Sequence, residues 1–197
     1  MEIVIASSNM HKIREFREMF KAIKDIDIIS LINFPDYVPP EETGETFQEN
    51  ALIKARHAAQ HLNRIALADD SGLVVPCLKG APGVYSRRYA GPEANDADNR
   101  RKLLQDMQGL SDIQRSAYFE CSLALCRPDG WEKCTSGICE GHIITEERGR
   151  NGFGYDALFV KNDYDKTFAE LDESVKNRIS HRHKSFEKLI YTLETLK

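Results

Sequence analysis

Two adjacent carboxylates, Asp69 and Asp70, lie between two short apolar runs near the middle of the chain. The small apolar residues Ala66–Ala68 precede them, and Ser71 and Gly72 follow them. This pattern predicts that the acids lie where a buried strand ends and turns, a common place for catalytic groups. An ordinary turn is the alternative, because Asp-Ser-Gly is common turn chemistry.

The two acids are expected to have different surroundings. Because strand side chains alternate between faces, Asp69 and Asp70 cannot point the same way in an extended chain. We therefore expect one of them to face a cleft and the other to support the turn.

A second acid pair, Glu41 and Glu42, lies at the tip of a Pro-rich loop over Asn33–Glu45. A helix is predicted to begin after Thr46, and Lys54 lies at the edge of its apolar stripe. Lys54 either extends its ammonium group to water or binds a phosphate near the Glu42 loop.

The N-terminal segment offers a second place for an anion. Glu2–Ala6 is predicted to be a central strand, and Ser7, Asn9 and Lys12 follow it at the start of a helix. Free backbone N–H groups, hydroxyls and a lysine at a helix N-terminus can bind a phosphate. The glycine spacing of a Walker loop is absent, and a simple helix cap is the alternative.

A glycine-rich stretch, Gly149–Asp156, holds two aromatic residues next to an acid. Phe153 in this stretch is a candidate platform for stacking a flat base. A glycine hinge with Phe153 packed in the core is the alternative.

Three cations lie at or just before the start of the last predicted helix. Lys176, His181 and Arg182 would oppose the positive end of the helix dipole. Their placement indicates an anionic or carbonyl-rich partner, or a carboxylate nearby.

Charge and composition exclude several classes of protein. The 197 residues include 27 Lys plus Arg and 31 Asp plus Glu, so the net charge of -4 argues against a domain that mainly grips nucleic acid. No apolar run has the length of a membrane span, and Glu2 stands where a signal peptide has basic residues. We expect a cytoplasmic protein with no membrane partner. Its length suits one large domain over residues 1–197 or two closely packed lobes.

The five cysteines are predicted to be reduced. Cys121 and Cys126, like Cys134 and Cys139, are an odd number of positions apart, so each pair would face opposite sides of a sheet. This spacing disfavours a structural zinc site and favours buried thiols in a hairpin.

The remaining pattern predicts both strands and helices. Apolar runs indicate strands, and residues at helical spacing indicate helices over 96–107 and near the C-terminus. Ser116–Cys126 and Trp131–Cys139, joined by a Pro-Asp-Gly turn, are predicted to form an antiparallel hairpin.

Seven motifs, taken in order, resemble the Ham1/RdgB family of non-canonical purine nucleoside triphosphate pyrophosphatases. The motifs are Ser7-x-Asn9-x-x-Lys12, Glu41-Glu42-Thr43-Gly44-x-Thr46-Phe47, Glu49-Asn50-Ala51-x-x-Lys54-Ala55, Ala68-Asp69-Asp70-Ser71-Gly72, Gly83-Val84-Tyr85-Ser86, Gly152-Phe153-Gly154-Tyr155-Asp156 and Ser180-His181-Arg182. The chain departs from the family's Thr-Gly-Asn-x-Gly-Lys form at Ser7, Ser8 and His11. The resemblance covers nearly the whole chain.

The resemblance implies hydrolysis of ITP, dITP or XTP to the nucleoside monophosphate and pyrophosphate. It also implies an α/β fold with an elongated mixed β-sheet flanked by helices, two lobes with the active site in the cleft between them, and a homodimer. Asp70 would be the general base and would share Mg²⁺ with Glu42, while Asp69 supports the site. The implied substrate-binding residues are Ser7, Ser8, Asn9, Met10, His11, Lys12, Lys54, Ser71, Phe153, Gly154, Tyr155, Asp156, Lys176, His181 and Arg182.

Two other functions fit the same residues. One is a pyrophosphatase with a different base preference, and the other is a nucleotide sensor that binds without turnover.

Hydrogen bonding favours 6-keto purines over adenine, because cationic donors pair with a keto oxygen and not with an amino group. No residue in the sequence identifies what would exclude GTP.

Overall fold

Six strands form one mixed sheet with helices packed against it. The structure, a computed structural model, describes residues 1–196. The strands are β1 (Glu2–Ile5), β2 (Asp27–Ser30), β3 (Ile65–Val74), β4 (Ser116–Cys126), β5 (Glu132–Ile143) and β6 (Phe159–Lys161), and the helices are α1 (Met10–Phe20), α2 (Phe47–Leu62), α3 (Asp96–Asp106), α4 (Glu173–Ile179) and α5 (His181–Thr195). The strand order is β2-β1-β3-β4-β5-β6. Strand β1 is parallel to both β2 and β3, whereas β5 and β6 are antiparallel.

The chain divides into two compact units. The first contains Met1–Asp70, Cys121–Gly137 and the C-terminal segment from Arg182, and the second contains Ser71–Glu120 and Ile138–His181. No helix within residues 1–196 has the length and apolar character that crossing a bilayer requires. The two units are described separately below.

In the first unit, alternation along the strands builds two different apolar layers. The odd-numbered Ile3, Ile5 and Leu67 pack with side chains of α1 and α5. The even-numbered Ala66 and Ala68 pack with the alanines of α2. The small side chains on the second face allow α2 to approach the sheet closely. Each face of β3 therefore has its own helices.

In the second unit, aromatic residues form most of the core. Phe119 and Phe159 pack edge to face, with ring centroids 4.7 Å apart, and Phe168 lies against both rings. Leu103 and Met107 bring the C-terminal half of α3 into the same cluster. Tyr155, from the loop over 149–156, belongs to the same core.

Most of the predicted elements are confirmed. The N-terminal strand, the helix starting after Thr46, the helix near 96–107, the hairpin and the C-terminal helix all form. Cys121 and Cys126 lie in different apolar layers, as their spacing predicts, and all five cysteines are free thiols. The mixed α/β class is also confirmed.

The prediction that a strand ends at Asp69 and Asp70 is wrong. Strand β3 continues without a break to Val74. The strand that ends here is its neighbour, because β1 stops at Ile5, which is opposite Leu67. Beyond Leu67, β3 no longer has β1 beside it, but it still lies next to β4 in the sheet order. Its backbone can therefore stay extended.

Helix α2 carries several of the candidate site residues, and its start is fixed by a capping box. The Thr46 hydroxyl oxygen accepts from the Glu49 N–H at 3.1 Å, and the Glu49 carboxylate accepts from the Thr46 N–H at 3.1 Å. These bonds satisfy N–H groups that have no partner inside the helix.

We expect Thr46→Ala to lower the free energy of unfolding by about 1 kcal/mol, because the cap acceptor is lost. Thr46→Ser keeps the hydroxyl oxygen and should stay within a few tenths of the wild-type value. Urea denaturation followed by circular dichroism measures both. Equal losses in the two variants would contradict the capping role.

Candidate active site

Asp69 lies on the face of β3 that is covered by α1 and α5. Its Oδ2 atom accepts from Lys12 Nζ at 2.9 Å and from Arg182 Nη2 at 2.9 Å and Nε at 3.2 Å. The Asp69 side chain is fully buried. A carboxylate with no access to water therefore has two cationic partners, one from each helix.

Burial alone would raise the pKa of Asp69, but Lys12 and Arg182 lower it below its ordinary value. Arg182 is also buried, and its Nη1 pairs with the Glu15 carboxylate. The neighbouring carboxylates raise the pKa of Arg182 above its ordinary value against the opposing effect of burial. Asp69 and Arg182 thus stay ionised, and Asp69 is poorly suited to accept a proton at neutral pH.

Asp70 lies on the opposite face of β3, towards α2. Its Oδ1 accepts from Lys54 Nζ at 3.1 Å, and its Oδ2 accepts from the Asn50 amide at 3.2 Å. Lys54 Nζ also donates to Glu42 Oε1 at 2.8 Å. One ammonium group therefore holds the carboxylates of Asp70 and Glu42 together.

The electrostatics of Asp70 differ from those of Asp69. Burial raises the pKa of Asp70, and Glu42 raises it further, so that the net shift is upward although Lys54 and Lys12 oppose it. Burial lowers the pKa of Lys54, but Asp70, Asp69 and Glu42 raise it above its ordinary value. A carboxylate with a raised pKa is a better proton acceptor than one with a lowered pKa, and the general-base role of Asp70 stays a prediction.

The segment before α1 forms the cap that the sequence predicts. The Asn9 side chain accepts from the N–H groups of His11 at 2.9 Å and Lys12 at 3.4 Å, and the Ser7 hydroxyl accepts from the Asn9 N–H at 3.1 Å. Ser8, Met10 and His11 are exposed. The cap is thus confirmed, and phosphate binding by this segment stays a prediction.

In the second unit, Phe153, Asp156 and Lys176 lie together. Asp156 Oδ2 accepts from Lys176 Nζ at 2.7 Å and from the Phe153 N–H at 2.8 Å, and Lys176 Nζ lies 4.7 Å from the centre of the Phe153 ring. A Cβ atom on Gly152, where φ is +77°, would come within 2.1 Å of Asp156 Oδ2. The glycine is therefore required for the carboxylate to reach this position.

The structure places the remaining candidates in varied surroundings. His181 is buried, and its ring stacks on Phe119 with centroids 4.9 Å apart. Tyr155 is buried in the aromatic core, where its hydroxyl donates to the Ser86 carbonyl at 2.8 Å. Ser71 is half-buried. Substrate contacts of these three residues stay predictions.

Sequence reasoning missed Asn50 and Glu15. Asn50 is four residues before Lys54, so the two side chains lie on one face of α2, a spacing that is visible in the sequence. Glu15 is three residues after Lys12 and is buried among the apolar residues of α1. A carboxylate on an apolar helix face signals a buried cationic partner.

Comparison with known proteins agrees with the family resemblance of the sequence motifs. The Ham1 family model matches residues 3–192. The "dITP/XTP pyrophosphatase" of Protochlamydia amoebophila is 63% identical over the full length of both chains, and the protein of the same name from Chlamydia abortus is 52% identical over all of this chain and 96% of its own.

Solved structures show the same fold. A HAM1 protein from Coxiella burnetii has a TM-score of 0.90 and 44% identity over 99% of both chains. The Staphylococcus aureus Ham1 protein has a TM-score of 0.88 and 42% identity over the full length of both chains. The chain belongs to the Ham1 family.

Proposed function

We propose that this protein hydrolyses the non-canonical purine nucleotides ITP, dITP and XTP to the nucleoside monophosphate and pyrophosphate, which removes deaminated purines from the nucleotide pool. The observation that carries the proposal is the group formed by Asp70, Lys54 and Glu42, in a chain whose full-length relatives are named dITP/XTP pyrophosphatase. Acids and lysines together suit a metal-bound polyphosphate.

Asp70 and Glu42 would hold Mg²⁺. Their carboxylates converge on the cationic Lys54 Nζ, and two carboxylate oxygens together with substrate phosphates are a typical Mg²⁺ environment. Within residues 1–196, no group of three or more His, Cys, Asp or Glu side chains forms a metal site. Such a cage is not needed when phosphates and water complete the coordination. When bound, Mg²⁺ would supply charge neutralisation on the phosphate oxygens.

Asp70 would accept a proton from the attacking water as the water oxygen bonds to the α-phosphorus. The bond from the α-phosphorus to the oxygen that bridges it to the β-phosphorus breaks, and pyrophosphate leaves with the electron pair. Lys54 and Asn50, which donate to the two Asp70 carboxylate oxygens, would hold the carboxylate in place for this role. Asp69, which keeps its charge, would fix Lys12 in place rather than take the proton.

Lys12 and Lys54 would neutralise the triphosphate, together with the residues around the start of α1. Ser7, Ser8, Asn9, Met10 and His11 form that segment, and Ser71 would add a hydrogen bond. Charge neutralisation that increases as the leaving group develops negative charge stabilises the transition state.

Phe153 would stack on the purine, with Gly154 and Tyr155 shaping the loop around it. Asp156, Lys176, His181 and Arg182 would surround the polar edge of the base. A 6-keto oxygen accepts from cationic donors, whereas the 6-amino group of adenine leaves them unpaired, at a cost of about 1–3 kcal/mol. ATP would therefore be a poor substrate.

The family resemblance also supports a cytoplasmic homodimer. The net charge of -4 supports a role without a nucleic-acid partner. Light scattering on the purified protein measures the number of subunits.

We expect Asp70→Asn to lower kcat for ITP by about 100-fold or more, because an amide cannot accept the proton and binds Mg²⁺ poorly. The nearly equal size of the amide should preserve the fold, which circular dichroism checks. Asp129→Asn, in the exposed hairpin turn, is the matched control and should keep wild-type kcat. If the Asp70 variant kept more than about a tenth of wild-type kcat, the carboxylate would supply less than about 1.4 kcal/mol, and the assigned role would be wrong.

A second test separates phosphate recognition from base recognition. Lys12→Ala should lower kcat/KM for ITP, XTP, GTP and ATP by a similar factor, because all four share the triphosphate. Arg182→Lys keeps a cation beside the buried Asp69 and Glu15 but removes the planar guanidinium, so the ratio of kcat/KM for ITP to that for ATP should fall. An unchanged ratio in Arg182→Lys, with a changed ratio in Lys12→Ala, would reverse the two assignments.

Product analysis for monophosphate and pyrophosphate distinguishes the proposed enzyme from a sensor that binds the nucleotide without hydrolysing it.

A further inference from the structure

We propose that Asp96 and Arg100, on the first turns of α3, are positioning residues that hold the backbone of Gly154, and with it the adjoining Phe153, in place for stacking on the base. This inference rests on the proposed function, because it concerns the residue that would contact the purine. It assigns a role to a helix that the site described above does not include.

The two side chains bind both main-chain groups of one residue. The Gly154 N–H donates to Asp96 Oδ2 at 2.7 Å, and Arg100 Nη1 donates to the Gly154 carbonyl oxygen at 2.9 Å. Both bonds are charge-assisted, which makes them stronger than neutral hydrogen bonds. Gly154 has φ at +60°, and glycine populates positive and negative φ about equally, so the residue does not hold this shape by intrinsic preference alone.

The geometry of α3 explains why both side chains reach the same residue. Asp96 and Arg100 are four positions apart, so they lie on one face of the helix, one turn from each other. Asn95 caps the helix and fixes the position of its first turn, because its side chain accepts from the Asp98 N–H at 3.0 Å. Arg100 is held in turn by Glu147, at 2.9 Å between Nε and Oε1.

The peptide that Asp96 binds joins Phe153 to Gly154, so this contact acts directly on the aromatic residue. Asp156 accepts from the Phe153 N–H on the other side of the same residue. The backbone of Phe153 is therefore held at both of its peptide bonds, and Lys176 lies over its ring. A ring fixed before binding loses less conformational entropy when a base stacks on it.

Loss of the clamp should therefore weaken base binding and leave phosphate chemistry intact. Asp69, Asp70, Lys12 and Lys54 lie on β3, α1 and α2, and none of the contacts of Asp96 and Arg100 described above involves them. The expected signature is a rise in KM with little change in kcat, which is the pattern for lost ground-state binding.

The experiment compares Asp96→Ala, Asp96→Asn and Arg100→Ala with the matched control Arg101→Ala. Arg101 is the next residue of α3, and its exposed side chain pairs with Asp98. We expect Asp96→Ala and Arg100→Ala to raise KM for ITP about 5- to 20-fold, with kcat within about twofold of wild type. Asp96→Asn keeps an acceptor oxygen and should recover most of the loss, and Arg101→Ala should match wild type.

Inorganic triphosphate, which has no base, is the second probe. Its inhibition constant should be unchanged in every variant, within about twofold. A parallel rise in the KM for ITP and in this inhibition constant would show a general loss of structure and overturn the positioning role. So would a KM for Asp96→Ala equal to that of Arg101→Ala.

Hydrogen exchange of the 149–158 segment separates this inference from the proposed function. Exchange should be faster in Asp96→Ala than in wild type and unchanged in Arg101→Ala. Unchanged exchange in Asp96→Ala overturns the clamp even if the wild-type enzyme is active. A wild-type protein that shows no ITP hydrolysis defeats the proposed function and the link to base binding, while the exchange result still decides whether the clamp exists.

Discussion

The side chains of Asp69 and Asp70 leave β3 on opposite faces, and most of the first unit is arranged around that fact. A buried carboxylate is costly unless a cation neutralises it. Here the helices on each face of β3 supply cations for the acid on that face. Lys12 and Arg182 do so from α1 and α5, and Lys54 does so from α2. The helices must therefore pack closely enough to deliver charged groups as well as apolar ones.

The difference between the two acids follows from what surrounds them. Asp69 has two cations and no exposure, which keeps it ionised and fixed in position. Asp70 shares one lysine with Glu42 and keeps slight exposure, which leaves its charge less fully compensated. Two residues of the same type, adjacent in sequence, thus acquire different chemistry from the helices that cover them.

The sequence predicted much of this arrangement and missed a definite part of it. Apolar spacing and capping residues predicted α1, α2, α3, α5 and most strands within a few residues, because these signals are local. The short helix α4, which contains Lys176, was not predicted. A strand does end close to Asp69, but it is β1, whereas the sequence analysis assigned this end to β3. A single sequence does not show which of two neighbouring strands stops first. Asn50 and Glu15 were missed because their importance depends on partners far along the chain, such as Arg182 for Glu15.

The continuity of β3 through the two acids also limits which changes the strand can accept. A substitution at Ala66 or Ala68 alters packing on one face only. One residue inserted or deleted ahead of Asp69 would shift the register and exchange the faces, so that Asp70 would meet the α1 and α5 layer and Asp69 the α2 layer. Each acid would then face the cations of the other. A change in length by one residue ahead of Asp69 would therefore disturb both acids at once, whereas a larger side chain at Ala66 or Ala68 would disturb only the α2 layer.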